Sequence, residues 1–269
     1  MEMIKLWSTV ESAGTGNPAD DFAPYLEPFL LDRTQPLRGA VIVCPGGGYV
    51  NRAPHEGTPI ALKFNELGFH AFVLQYRVAP YRFPAPQRDV FRAVRIVRSR
   101  AAEWGIDAAQ IAVLGFSAGG HLTASAGTLF GEVDAKAGDA ADAYSQRPDA
   151  ILPCYAVISF STVWGHRGSG ENLLGASLAE LEERYCLDRR VTADTPPAFL
   201  WHTATDGAVP VRNSVAFAEA CWKNGVPAEL HVFPAGPHGI GLAADYPDAK
   251  RWPELAAKFL TATCGFTAR

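Results

Sequence analysis

The chain of 269 residues is longer than an average domain but ordinary for one large α/β domain, so we predict a single domain over residues 1–269. Hydrophobic residues make up 48% and charged residues 19%, which allows a large core and excludes a disordered chain. The net charge of −4 gives no reason to expect nucleic acid or an anionic membrane as a partner.

Nothing in the sequence predicts a membrane segment or a disulfide framework. No apolar run is long enough to span a bilayer, and the first eight residues lack the features of a signal peptide. Five cysteines are scattered singly without a C-x-x-C pair, and Cys44 and Cys154 lie inside apolar runs as buried small hydrophobes. These features predict a reduced, cytoplasmic protein.

Taken in chain order, the predicted elements alternate between strands and helices. Extended segments at 4–8 and 25–31 favour an edge hairpin or meander. The following strands are predicted at 40–44, 70–76, 111–115, 150–159, 197–202 and 228–233. Helices are predicted at 59–67, 86–103, 118–130, 178–185, 212–224 and 252–263, with a surface loop at 131–149. Strands that are apolar on both faces and followed by helices predict a mostly parallel, eight-stranded type of sheet with helices on both faces and an antiparallel N-terminal edge.

The most informative segment follows the strand at 111–115. It reads Gly115-Phe116-Ser117-Ala118-Gly119, a G-x-S-x-G between a strand and a helix. In that context a serine lies on a sharp backbone bend with its hydroxyl exposed. The glycines are needed because a side chain two residues before or after the serine would not fit the turn. The segment therefore predicts a nucleophilic serine.

Two further residues complete a catalytic arrangement with Ser117. A serine hydroxyl needs a base, usually histidine, oriented by a carboxylate. Asp206 follows the strand at 197–202, and His238 follows the last strand, so both lie at the same end of the sheet as the serine. A lone Asp after a strand is usually a turn residue and a lone His in a Gly-Pro loop is usually solvated. The order Ser, Asp, His is nevertheless that of α/β-hydrolases, and three such residues at three strand ends favour a triad.

The other candidates for base and acid fit less well. His70, His202 and His231 lie in or at the start of strands, where core or surface roles suit them. His121 lies one turn beyond the serine and is predicted to be buried against the sheet. Asp194 precedes its strand and so lies at the wrong end of the sheet.

A glycine-rich loop, Cys44-Pro45-Gly46-Gly47-Gly48, follows the strand at 40–44. At this place a loop contributes backbone N–H groups to an oxyanion hole, together with the amide of the residue after the nucleophile. It opens no helix with G-x-G-x-x-G, and no Gly-Lys-Ser/Thr follows it. No H-E-x-x-H or cluster of His and Cys occurs, so neither a cofactor nor a metal is predicted.

At this point the chain resembles the α/β-hydrolase esterases related to hormone-sensitive lipase. The resemblance extends from about residue 39 to residue 247. The matching segments are Pro45-Gly46-Gly47-Gly48-Tyr49, Tyr76-Arg77-Val78-Ala79-Pro80, Phe83-Pro84-Ala85 with Asp89, and Gly115-Phe116-Ser117-Ala118-Gly119-Gly120-His121. Pro45 replaces the histidine of the usual His-Gly-Gly-Gly. That variant, with His166-Arg167-Gly168-Ser169 and Asn172-Leu173-Leu174-Gly175, is similar to bacterial carbohydrate acetyl esterases, including bifunctional acetyl-xylan and feruloyl esterases.

The resemblance implies roles for individual residues. Ser117 would be the nucleophile, His238 the general base and acid, and Asp206 its orienting carboxylate. Gly47, Gly48 and Ala118 would supply the N–H groups of the oxyanion hole.

It also suggests where a substrate would bind. Tyr49 and His166 are candidate substrate-binding residues, although the loop at 164–170 could equally be a plain connector. Arg77 and Asp89 would form a structural ion pair. The compact N-terminus lacks the long helical cap of hormone-sensitive-lipase relatives, which implies an open site suited to a sugar ester.

The sequence therefore predicts a serine esterase that removes short acyl groups, such as acetyl, from sugars or xylo-oligosaccharides without a cofactor. Its partner would be a small ester substrate, and an oligomer is compatible with the sequence. Two alternatives stay open. A prolyl-oligopeptidase type of serine peptidase shares the fold and the triad order, and a non-catalytic small-molecule receptor shares the fold but typically lacks the histidine.

Overall fold

A computed structural model describes residues 2–8, 22–32, 36–160 and 164–268. Within these ranges eight strands form one sheet in the order β1-β2-β4-β3-β5-β6-β7-β8. The strands are β1 Ile4–Lys5, β2 Tyr25–Phe29, β3 Arg38–Cys44, β4 His70–Gln75, β5 Ile106–Phe116, β6 Ala150–Cys154, β7 Ala198–Thr203 and β8 Ala228–Phe233. β2 pairs antiparallel with β1 and β4, whereas the other six strands are mutually parallel. The predicted sheet and its antiparallel N-terminal edge are confirmed.

Helices cover both faces of the sheet. They are α1 Thr58–Glu66, α2 Ala85–Ser99, α3 Ala101–Trp104, α4 Ser117–Thr128, α5 Arg167–Leu174, α6 Leu178–Leu181, α7 Arg212–Lys223 and α8 Trp252–Ala262. Short 3₁₀ turns lie at Pro54–Glu56, Ala140–Ala143, Gly175–Ser177, Leu187–Arg190 and Ala249–Arg251. In the described part of the chain, none of the helices has the length and apolar character needed to cross a membrane.

Alternate residues of each parallel strand face opposite layers of the core. In β3, Val41 and Val43 belong to the layer that α1 and α8 cover, whereas Ile42 belongs to the layer under α2, α4 and α7. All three side chains are fully buried. This two-sided burial explains why β3 to β7 carry continuous apolar runs, and it leaves the loops at the strand ends as the place for polar chemistry.

Several predicted elements have other bounds in the structure. β5 begins at Ile106 and not at residue 111, and α6 ends at Leu181 and not at residue 185. The strand predicted to reach residue 159 ends at Cys154, because Tyr155 adopts a left-handed conformation with φ of 33°. The helix predicted over 86–103 is interrupted at Arg100, whose φ of −104° and ψ of 10° are not helical. The segment 167–174, where no helix was predicted, forms helix α5.

The loop between α4 and β6 is held down by arginines of α2. Arg92, Arg95 and Arg98 are spaced by three residues and therefore share one side of the helix. Arg92 and Arg98 pair with Asp142 and Asp149 at 3.1 and 2.6 Å, and Arg95 donates to the Asp142 carbonyl at 2.7 Å. The predicted surface loop is thus fixed on its inner side by charged hydrogen bonds.

Candidate active site

Ser117 lies on the sharp turn between β5 and α4. Its φ of 54° is in the left-handed region, which costs an ordinary L-residue about 1–2 kcal/mol. A Cβ on Gly115 would lie 2.2 Å from the Gly119 carbonyl oxygen, and a Cβ on Gly119 would lie 2.2 Å from that of Cys44. The prediction that only glycine fits at these two positions is confirmed.

The structure brings Ser117, His238 and Asp206 together in one hydrogen-bonded chain. Ser117 Oγ lies 2.7 Å from His238 Nε2, and His238 Nδ1 lies 2.7 Å from Asp206 Oδ2. The three residues follow β5, β8 and β7, whose carboxyl ends lie at the same edge of the parallel sheet. Parallel pairing therefore places residues that are far apart in sequence within bonding distance.

Asp206 is held as a carboxylate. Burial alone would raise its pKa, but hydrogen bonds from His202, His238 and the Val209 amide outweigh that effect and hold the pKa well below its usual range. Its Oδ1 accepts the N–H groups of Ala208 and Val209, both at 2.9 Å. Because a carboxylate only accepts, His238 carries its proton on Nδ1 and its Nε2 is free to accept the Ser117 proton.

His202 is a partner of Asp206 that was not predicted from the sequence. It is fully buried in β7, and its Nε2 lies 2.8 Å from the Val209 carbonyl oxygen and 3.3 Å from Asp206 Oδ2. The carbonyl requires a proton on Nε2, so His202 donates to both acceptors, while its Nδ1 pairs with Ser214 Oγ at 2.8 Å. The available signal was its position four residues before Asp206 at the end of the strand.

The glycine loop (residues 45–48) passes next to the serine. A Cβ on Gly46 would lie 3.0 Å from Ser117 Cβ. Gly47 and Gly48 have φ of 129° and 64°, which favour glycine. Their N–H groups and that of Ala118 form no hydrogen bond with other described residues. Ala118 is the second residue of α4, where N–H groups lack acceptors within the helix, so all three N–H groups are unpaired among the described residues.

Side chains from other elements hold the glycine loop, and none of them was predicted from the sequence to have this role. Tyr76 donates its hydroxyl proton to the Pro45 carbonyl at 2.6 Å, and Asn172 donates to the Gly48 carbonyl at 2.8 Å. The Gly46 N–H donates to a carboxylate oxygen of Glu56 at 2.8 Å. The loop is therefore anchored at three successive points along the chain.

The Tyr49 side chain, predicted as a candidate for substrate binding, lies in the core and not on the surface of the site. It is only 1% exposed, and its hydroxyl lies 2.9 Å from His121 Nδ1. His121 Nε2 donates to the Tyr185 carbonyl at 3.1 Å, so Nδ1 accepts from Tyr49. Burial lowers the pKa of His121 to about 4 and keeps the ring neutral. The Tyr49 side chain belongs to the core and lies edge-on to the rings of Tyr76 and His121.

His166 lies near the triad at the start of α5. Ser169 donates its backbone N–H and its hydroxyl proton to His166 Nδ1 at 3.2 and 2.9 Å, which leaves the ring proton on Nε2. Burial lowers the pKa of His166, and the nearby His238 lowers it further. His166 is thus a neutral ring with a fixed donor, and Nε2 bonds to no other described residue.

Arg77 and Asp89 form the predicted structural ion pair. Both side chains are fully buried, and their closest atoms are 2.6 Å apart. Asp89 also accepts from the Trp7 indole at 2.8 Å, so the pair ties the N-terminal segment to α2. Among the described residues, no three His, Cys, Asp or Glu side chains are grouped so that they could hold a metal ion.

The sheet, the serine turn and the hydrogen-bonded chain place the protein in the class of α/β-hydrolase folds. Comparison with known families then identifies it further: the chain belongs to the BD-FAE family, whose profile matches residues 29–221. The family match includes the glycine loop and the serine turn.

Individual relatives are carbohydrate-active enzymes. The structure of an acetyl ester-xyloside bifunctional hydrolase from Caldicellulosiruptor lactoaceticus is 45% identical, with a TM-score of 0.93 over 99% of this chain and 97% of that one. Endo-1,4-beta-xylanase B of Butyrivibrio fibrisolvens is 38% identical over 77% of this chain and 33% of its own length. The acetylxylan esterase of Xylanibacter ruminicola is 31% identical over 85% of this chain and 46% of its own length. The chain thus spans between a third and a half of these two relatives.

Proposed function

We propose that the protein hydrolyses carboxylic esters through an acyl-serine intermediate. The observation that carries the proposal is the continuous chain of two 2.7 Å hydrogen bonds from Ser117 through His238 to Asp206. A serine hydroxyl in contact with an unprotonated imidazole nitrogen can lose its proton as it attacks a carbonyl carbon.

In the first half of the reaction Ser117 Oγ attacks the ester carbonyl carbon and His238 Nε2 takes the serine proton. The new imidazolium lies against the Asp206 carboxylate, which stabilises its charge. His238 then gives the proton to the leaving alcohol, and the acyl group stays on Ser117. In the second half a water molecule attacks the acyl-serine in the same way and releases the acid.

The tetrahedral intermediates carry a negative oxygen, and the N–H groups of Gly47, Gly48 and Ala118 are its proposed donors. Each donor of this kind contributes about 10²- to 10³-fold to kcat in other enzymes. The supports of the glycine loop matter because donors stabilise the oxyanion only when they are already in position. The oxyanion hole therefore depends on the residues that anchor the loop.

We further propose that the substrates are short-chain, chiefly acetyl, esters of xylo-oligosaccharides. Support comes from two relatives, an acetylxylan esterase and an acetyl ester-xyloside bifunctional hydrolase. His166 suits this class because its fixed Nε2–H can donate to a sugar hydroxyl. A neutral donor close to His238 can bind a hydroxyl without adding a charge beside the catalytic base.

The proposal is tested by the burst of p-nitrophenol from p-nitrophenyl acetate. The wild type should release about one equivalent rapidly, and Ser117→Ala should abolish the burst and lower kcat by about 10⁴-fold or more. The matched control is Ser125→Ala, in the same helix, because the buried Ser125 hydroxyl has no hydrogen-bond partner in the described part of the chain and its loss should leave kcat unchanged. Absence of turnover above buffer in the wild type would refute ester hydrolysis.

The substrate class is tested with a panel of matched esters. Acetylated xylo-oligosaccharides should give the highest kcat/KM, above feruloyl esters and above p-nitrophenyl esters of long acyl chains. A preference for long acyl chains would contradict the proposed class. Cleavage of prolyl peptides would instead support the peptidase alternative.

A further inference from the structure

Glu56 is a buried carboxylate that takes no part in the proposed triad. It is the last residue of the 3₁₀ turn Pro54–Glu56 and is 2% exposed. Burial of a carboxylate is costly unless hydrogen bonds compensate it. Both of its oxygens accept one: Oε2 from the Gly46 N–H at 2.8 Å and Oε1 from the Tyr155 hydroxyl at 2.6 Å.

The first of these bonds fixes the glycine loop where it passes closest to the nucleophile. Gly46 directly precedes Gly47, and a Cβ on Gly46 would meet Ser117 Cβ at 3.0 Å and Glu56 Oε2 at 2.6 Å. The carboxylate is therefore in van der Waals reach of the loop backbone as well as bonded to it. Movement of Glu56 would move the proposed oxyanion donors relative to the serine.

The second bond connects Glu56 to the loop that carries His238. The Tyr155 hydroxyl accepts the Gly241 N–H at 2.9 Å, and the Tyr155 ring lies edge-on to the His238 ring with centroids 5.1 Å apart. The neighbouring His55 adds a further tie, because its Nε2–H donates to the Gly239 carbonyl at 2.9 Å. One short turn thus holds both loops of the site.

We infer that Glu56 is a positioning residue, which keeps the glycine loop and the His238 loop in register around Ser117. This inference rests on the proposed function. A negative charge near a developing oxyanion repels it, so the benefit of Glu56 is in geometry and not in charge. The inference predicts a loss of kcat with little change in KM when the two bonds are weakened, because the loops are misplaced mainly for the transition state.

The test is Glu56→Gln, which conserves shape but offers one acceptor oxygen for two donors. The matched control is Asp149→Asn at the opposite end of the sheet, where the carboxylate likewise accepts a backbone N–H (Ile111, 2.9 Å) and a side-chain donor (Arg98, 2.6 Å). With p-nitrophenyl acetate, E56Q should lower kcat by about 10- to 100-fold and change KM by less than about twofold. D149N should keep kcat even if its thermal midpoint falls.

A second readout separates positioning from stability. Phenylboronic acid forms a tetrahedral, negatively charged adduct with an active serine, so its Ki in E56Q should rise by the same factor by which kcat falls. Tyr155→Phe keeps the Gly46 bond and should show a smaller loss. In the double variant the losses should combine to less than their product, because both residues act in one network. Wild-type kcat and Ki in folded E56Q, or a higher kcat, would overturn the inference.

Hydrogen exchange keeps the inference testable without activity. E56Q should speed exchange in peptides that cover residues 46–51 and 236–242 and leave helix α8 unchanged, whereas unchanged exchange in both loops would refute it. If the wild type neither hydrolyses esters nor binds phenylboronic acid, the proposed function fails. The exchange result then decides on its own whether Glu56 holds the two loops.

Discussion

Replacement of Asp206 by asparagine tests the site most sharply, because the structure dictates which way the new amide points. Asp206 Oδ1 accepts two backbone N–H groups, from Ala208 and Val209, at 2.9 Å each. An asparagine that turned its NH₂ toward them would leave both donors unpaired, at about 1–3 kcal/mol each. The asparagine oxygen therefore keeps these two bonds.

The NH₂ group must then face His238 Nδ1 and His202 Nε2, where the carboxylate oxygen was. His238 can pair with a donor only by moving its own proton from Nδ1 to Nε2. In that tautomer Nε2–H points at Ser117 Oγ, so no base is available to take the serine proton. His202, whose Nε2 donates to the Val209 carbonyl, would also meet a donor.

We expect D206N to lower kcat by about 10⁴-fold, which corresponds to about 5.5 kcal/mol of activation free energy. The measurement is kcat/KM on p-nitrophenyl acetate with titrated active sites, compared with D149N, which makes the same chemical change elsewhere. A folded D206N that kept more than about 1% of wild-type kcat would refute the conclusion that Asp206 keeps the proton of His238 on Nδ1.

Two other predictions concern the frame around the site. Gly115→Ala places a Cβ 2.2 Å from the Gly119 carbonyl oxygen, so we expect a thermal midpoint lower by several degrees and a large loss of esterase activity, both absent in Ser125→Ala. The second concerns His121, whose folded-state pKa is about 4 against the usual 6.5. The unfolded chain therefore binds a proton at His121 more readily than the folded protein does. The contribution of the neutral ring to the free energy of unfolding is complete above pH 7, and about 3 kcal/mol of it is lost as the pH falls from 6.5 to 4. The free energy of unfolding, measured in urea, should fall more between pH 7 and pH 4 in the wild type than in His121→Gln. An equal fall in the two proteins would contradict the prediction.

The sequence by itself determined the order of the elements and the place of the reactive residues. Five of the six parallel strands, β3 to β7, are buried and carry continuous apolar runs, so they could be located without tertiary information, apart from their ends. The sixth, β8, is a partly exposed edge strand. Since parallel strands end at one edge of the sheet, Ser117, Asp206 and His238 could be assigned to that edge from their positions after three strands. The close backbone approach at Gly115 and Gly119 was also readable, because it is local to the turn.

Only the tertiary structure decided what holds this chemistry in place. Tyr49 was predicted to face substrate, but it pairs with His121, 72 positions away. Glu56 bonds to Tyr155, 99 positions away, and no local pattern marks either residue. Helices and strands follow from the local periodicity of apolar residues. A buried polar network instead depends on partners that only the packed sheet brings within about 3 Å of each other. The reactive residues were therefore readable from the sequence, and their supports were not.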